Sequence, residues 1–257
     1  MSDNYVLKWD AEGERLYETG VKQCVLYPWD STLNSGDGGY GTGVAWNGIT
    51  GITESPSGAE ANPMYADDTK YLNLFSAEEF GATIEAYMYP DAFAECDGSK
   101  AIATGITGVV VGQQSRKMFG LCYRTTLGND TDENDHGYKL HLIYGCKASP
   151  SEKGYTTIND SPEAITFSWE LSTVPVDIPG LKKSSIITID STKANSTKLA
   201  ALEKILYGTP ATTDPEADEV PPRLPSPAEI ITMFTVTSGG GDVSGGGDVS
   251  GGGDVQG

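Results

Sequence analysis

Gly43-Val44-Ala45-Trp46, then NGITGITESPSGAEANPMYADDTK (Asn47 to Lys70), then Thr83-Ile84-Glu85-Ala86-Tyr87-Met88-Tyr89: two strand-like runs bracket a long polar connection. In the second run Ile84, Ala86 and Met88 alternate with Thr83, Glu85 and Tyr87. That period of two places alternate side chains on opposite faces of a strand. The connection is punctuated by Gly and Pro and holds no helical period, so it reads as a long loop. Such loops are uncommon inside compact domains, and those that exist are usually functional or ordered against a partner. This one carries no catalytic set, so its expected role is contact rather than chemistry.

Outward from it, more strands follow the same period. Phe119, Leu121 and Tyr123 share one face of Lys117–Arg124. Leu140, Leu142 and Tyr144 oppose Lys139, His141 and Ile143. In Ala164–Leu171 the residues Ile165, Phe167, Trp169 and Leu171 alternate with Thr166, Ser168 and Glu170. Strands of this kind keep one face in a core and one near water. Gly20–Pro28, Ile102–Val111 and Ser185–Asp190 are further strands. Leu127–Gly137 reads as an acidic hairpin loop. Its Asp130, Asp132 and Asn134 mimic the start of a calcium loop, but Asp135 stands where the required glycine should be.

One helix is clear. Asp190, Ser191 and Thr192 offer caps, Leu199, Leu202, Ile205 and Leu206 form a stripe within Asn195–Tyr207, and Gly208 ends it. A shorter helical turn begins at Pro90 or Asp91. From Thr209 to Ala228 the chain is rich in Pro and acid and reads as an extended arm. Ile230–Thr237 reads as a late strand. Three Ser-Gly-Gly-Gly-Asp-Val copies then make a flexible tail, 238–257.

At 257 residues the chain can bury a real core. Its net charge is −19, with 17 acids against 5 bases in residues 1–100. Binding nucleic acid through phosphates needs clustered Lys and Arg, so that mode is excluded. An acidic surface suits solubility, or a surface past which DNA moves without sticking. No apolar run reaches the 18 residues that would suggest a membrane helix, and Met1–Glu18 lacks the apolar stretch of a secretory signal. Cys24, Cys96, Cys122 and Cys146 form no CxxC pair and are expected as buried thiols.

Chemistry finds little footing. His136 and His141 are the only histidines, and neither has HExxH or zinc-pair spacing. The Gly-rich SGDGGYGTG (Ser35 to Gly43) is not followed by a helix start, which a dinucleotide fingerprint requires. No GxSxG elbow occurs. Asn129, Asn159 and Asn195 lie in glycosylation sequons that matter only on secretion. Trp46, Phe167 and Trp169 at strand spacing read as core. Trp9 and Trp29 leave a carbohydrate-binding β-module as an alternative, and a glycoside hydrolase built on two of the many acids as a third.

Four continuous runs carry a resemblance: RLYETG (Arg15 to Gly20), Gly43–Tyr71, Ser76–Gly98 and Phe119–Val176. Together they resemble the major tail, or tail-tube, protein of long-tailed bacterial viruses, over roughly residues 14 to 207. The resemblance implies a mainly β fold, a β-sandwich or half-barrel with one flanking α-helix and long loops. It implies no enzyme and no cofactor or metal. The expected partners are further copies of the chain, as a homohexameric ring stacked into a tube, and other tail proteins at the tube ends. Double-stranded DNA would pass through without specific binding, and no membrane is involved. The setting is the virion tail, assembled in the host cytoplasm.

On this reading residues 1–40 are an N-terminal segment, 41–208 the tube domain, 209–237 a C-terminal arm and 238–257 the tail. Contacts between rings or subunits fall to Asn47, Ile49, Thr53, Glu54, Pro56, Asn62, Pro63, Tyr65, Asp67 and Lys70. Polar strand faces would line the channel through Thr83, Glu85, Thr166, Ser168 and Glu170.

Overall fold

The computed structural model describes residues 7–235, apart from 107, 159, 162, 214 and 215. The expected tail, the sequon at Asn159 and the last two positions of the expected late strand lie outside the described residues. The strands in chain order are β1 (Tyr17–Asp30), β2 (Gly39–Tyr40), β3 (Val44–Trp46), β4 (Ile49–Glu54), β5 (Ser57–Gly58), β6 (Ala61–Ala66), β7 (Thr69–Phe75), β8 (Glu78–Glu79) and β9 (Gly81–Ala86). They continue as β10 (Lys100–Ala101), β11 (Val110–Val111), β12 (Phe119–Asn129), β13 (Glu133–Ala148), β14 (Phe167–Thr173) and β15 (Ile186–Asp190), with a short separate pair, β16 (Thr212–Thr213) and β17 (Glu216–Ala217), near the end. Two α-helices follow among the described residues, α1 (Ser196–Tyr207) and α2 (Pro227–Phe234).

The fold is mainly β. One nine-stranded sheet runs in the order β2-β1-β12-β13-β14-β9-β4, with β15 on β13 and β3 on β1. Its ladders are antiparallel. The sheet curls around its own inner face, where Leu26, Trp46, Ile84, Phe119, Leu121, Ile143, Trp169 and Leu171 pack as one cluster. Phe93, on a 3-10 turn at Asp91–Phe93, fits among Trp46, Phe119 and Trp169. The large sheet carries the mainly β class expected from sequence, and its hydrogen-bonded order does not close into a barrel.

A second core lies on the outer face. Tyr27, Leu140, Leu142 and Tyr144 meet Leu199, Leu202 and Leu206 of α1 and Ile230 of α2. β12 and β13 are therefore buried on both faces, and the expected watery face is missing there. Gly145 makes the switch between the two cores: Tyr144 belongs to the outer cluster and Cys146 to the inner one. Its φ is +66°, and a Cβ there would sit 2.2 Å from the Val174 carbonyl, so only glycine fits this bulge. All four cysteines are buried and free, as their spacing suggests.

Helix α1 is capped by Asn195, whose side chain accepts from the Lys198 amide at 3.1 Å, rather than by the residues at 190–192. Helix α2 corrects the expected late strand. Ser226 accepts from the Glu229 amide at 3.3 Å and Pro227 sits at the first turn, which together start a helix. The Pro-rich stretch before it is no free arm either. Leu224 is buried, Arg223 N donates to the Ile205 carbonyl at 2.9 Å, and Tyr144 donates to the Pro225 carbonyl at 3.0 Å. Residues 222–234 strap onto their own chain. Similarly, β1 takes 14 residues of the N-terminal segment into the sheet, with Leu26 and Tyr27 fully buried there.

Candidate assembly surface

The long connection is not structureless. β4 belongs to the main sheet, and from Ser55 to Phe80 the chain makes a β-hairpin arm. β5 pairs with β8, and β6 pairs with β7, and neither pair joins the main sheet. The turn is Asp67-Asp68, both left-handed at φ 50° and 59°. Two such residues match the twist of a tight hairpin. Ten residues from Ser57 to Ala66 span roughly 30 Å at the usual rise of a strand. Every residue of β6 and β7 is exposed.

What the arm exposes is unusual. Cross-strand partners share a face, so Ala61 with Phe75 and Pro63 with Asn73 form one side. Asn62 with Leu74 and Met64 with Leu72 form the other. Phe75 is 68% exposed, Tyr71 72% and Leu74 53%. Both faces of the ribbon thus hold large apolar side chains in water. The arm's charges are Glu60, Asp67, Asp68, Glu78 and Glu79 against Lys70 alone.

The root, by contrast, is fixed. Ser55 N donates to the Gly81 carbonyl at 2.8 Å. Glu54, the last residue of β4, accepts from the Tyr123 hydroxyl at 2.5 Å. The Tyr123 ring stacks on His141, with centroids 4.7 Å apart and planes 5° from parallel. His141 Nδ1 lies 3.4 Å from Glu54 and its Nε2 lies 3.6 Å from Glu18 and 3.0 Å from Thr125 Oγ1. Burial pushes the His141 pKa down; Glu54 and Glu18 oppose that without reversing it. Burial also drives the Tyr123 phenol up, aided by the Glu54 carboxylate. For Glu18, burial raises the pKa, but bonds from Lys139 and Thr125 outweigh it and hold the carboxyl below its ordinary value. The arm leaves from a hydrogen-bonded root set on the buried Tyr123 and His141.

The contact residues expected from sequence divide accordingly. Asn62, Pro63 and Tyr65 lie on β6, Asp67 in the turn, Lys70 on β7 opposite Tyr65, and Pro56 at the start of the arm. Ile49, Thr53 and Glu54 are in β4 of the main sheet, and Asn47 is exposed in the break before it. The apolar residues of β7, Tyr71 to Phe75, lie beyond the expected contact segment, which ends at Lys70. Their alternation of Tyr71 and Phe75 with Leu72 and Leu74 is the signal that marks them.

Four of the five channel candidates fall side by side. Ser168 pairs with Glu85 and Glu170 with Thr83, and β4 adds Thr53 beside Thr83. Ile84 and Trp169, between them in sequence, point into the core. Thr166 is exposed but precedes β14. The acidic hairpin is held by contacts within itself and to the N-terminal segment: Asn129 donates to Asp132 at 3.0 Å, and Asp130 accepts from Gly13 N at 3.0 Å. Among the described residues no group of three or more His, Cys, Asp or Glu can hold a metal ion. None of the described helices is long and apolar enough to cross a membrane. Trp46 and Trp169 are core residues, so they build no sugar platform; Trp9 is exposed and Trp29 packs on Tyr40.

No family model matches the chain. No curated protein matches it either. Among solved structures it is similar to a chain in the cryo-EM structure of the anti-feeding prophage (AFP) baseplate, 6-fold symmetrised, at 11% identity. The likeness covers 73% of this chain and 99% of that one with a TM-score of 0.35, too low to argue from.

Proposed function

We propose that the chain is a self-assembling structural subunit, and that its assembly is a phage tail tube. The observation that supports this best is the arm: a ribbon with apolar side chains on both faces, attached to a hydrogen-bonded root and left uncovered by the described residues of its own chain. A lone two-stranded ribbon is marginal in water, and a contiguous exposed apolar surface marks an interface. Head-to-tail contacts between identical subunits close into rings or extend as filaments.

The resemblance of the four sequence runs supports the finer reading of homohexameric rings stacked into a conduit for double-stranded DNA. The polar row Thr53, Thr83, Glu85, Ser168 and Glu170 supplies a face that would line such a bore, where acidic groups repel phosphate so that DNA slides. Other tail proteins would meet the tube at its ends. The subunit would act without catalysis or cofactor.

Negative-stain microscopy of the purified full chain tests the proposal, across protein concentration and salt. Annular or tubular particles are expected. Single subunits under every condition would refute it.

A further inference from the structure

The arm needs an acceptor, and a second exposed hairpin has the matching chemistry. Resting on the reading of the arm as a contact element, we infer that its acceptor is the β10–β11 hairpin of another copy. β10 and β11 pair only with each other, Lys100 with Val111 and Ala101 with Val110. Ile102 and Val110 are 58% and 59% exposed, and Val109 and Val111 are exposed as well. Among the described residues of one chain nothing covers this surface, just as nothing covers the arm.

Charge favours this hairpin as the acceptor. Between Asp97 and Asp130 there is no acid, while Lys100, Arg116, Lys117 and Arg124 are basic. Arg116 and Lys117 at its root are engaged by Asp97 at 3.6 Å and Glu95 at 2.6 Å, whereas Lys100 is exposed on β10. In a protein of net charge −19, most surfaces repel an arm with five acids and one base. An exposed apolar hairpin whose own residues include no acid is a place where such an arm docks without like-charge cost.

Placement agrees. The arm rejoins the sheet at Gly81, the start of β9; the chain leaves the other end of β9 through Tyr87–Pro90 into the turn that roots the β10–β11 hairpin, where Gln114 N donates to the Gly98 carbonyl at 2.9 Å. Donor and acceptor therefore follow opposite ends of one strand, and a copy that docks by its arm still offers its own hairpin. That is the arrangement of a heterologous contact, which propagates.

Cysteine pairing in the full chain tests this, since the four native thiols are buried and only introduced ones will react. Separately tagged Y71C and V110C proteins are mixed under assembling conditions and oxidised, with I158C, exposed in a stretch that holds Asp160 and Glu163, as control. A Y71C–V110C product at least tenfold above Y71C–I158C is expected. V110D and K100E should each weaken self-association at least tenfold with unchanged thermal unfolding. If removal of the arm abolishes assembly while V110D and K100E assemble normally and cross-linking matches the control, the arm docks elsewhere and this inference falls, the assembly reading standing. If the parent chain never self-associates, both fall.

Discussion

Removing the arm should abolish assembly and leave the subunit intact. Ser55 N and the Gly81 carbonyl are already bonded at 2.8 Å, so a Gly-Gly link can replace Ser57–Glu79 without moving β4 or β9. Because β6 and β7 are exposed throughout, their loss removes no side chain from either core. Shortening a connection of this length to a few residues lowers its closure entropy by nearly three halvings, worth about 1.6 kcal/mol of stabilisation at most. For a domain of this size that is a rise in Tm of roughly 3–6 °C. In the assembly, burial of a side chain such as Phe75, Tyr71 or Leu74 contributes roughly 1.5–3 kcal/mol each before association costs. Their loss removes most of the driving force. Calorimetry should show an equal or slightly higher Tm, and sedimentation velocity only monomer. A Tm lower by about 10 °C, several times the shift that a surface change in a domain of this size gives, would mean that the arm holds the fold. Rings or tubes from the deleted protein would refute the assignment of the arm as the contact element.

Other outcomes follow from the same structure. Trp169→Ala removes a fully buried ring that also donates to Asp97 at 3.2 Å, and chemical denaturation should show a loss of about 3–5 kcal/mol. Asp97→Asn should cost about 2 kcal/mol, below the full range for a broken buried pair because Arg116 and Lys153 are partly exposed. His141 has its pKa lowered on folding, so the unfolded chain takes up the proton first; stability should decline as pH falls from about 6.5 and level off below the folded value, and His141→Gln should flatten that slope in pH-dependent unfolding. Because copies of charge −19 repel one another, raising salt from about 0.01 to about 0.15 M should increase the assembled fraction in light scattering, and a decrease would point to ion pairs as the main glue.

Elements whose local pattern coincides with their surroundings are legible in the sequence. Ile84 and Ala86, Trp169 and Leu171, and Leu199, Leu202 and Leu206 of α1 all face a core as their periods require. Met88 breaks the pattern: it is exposed, because β9 ends at Ala86. The α2 segment looks like a strand because Ile230, Ile231, Thr232 and Thr235 favour strands. Its capping signal, Ser226-Pro227-Ala228-Glu229, is present in the chain and outweighs that preference at a helix start. Ile102–Val111 looks like one strand but is part of a hairpin whose apolar residues face solvent, so hydrophobicity there reports no core of its own chain.

Sequence alone determined the β-rich character, the strands of period two, a helix expected over 195–207 and the acidic balance of the chain. Tertiary structure decided that one sheet curls on itself while two helices cover its outer face. It also decided that Asn47–Lys70 divides into a sheet strand and part of a bare hairpin. Periodicity reports which side of a strand is apolar; it does not report whether that side meets its own chain or another. That depends on where distant residues such as Glu54 and Tyr123 come together, which no local pattern encodes.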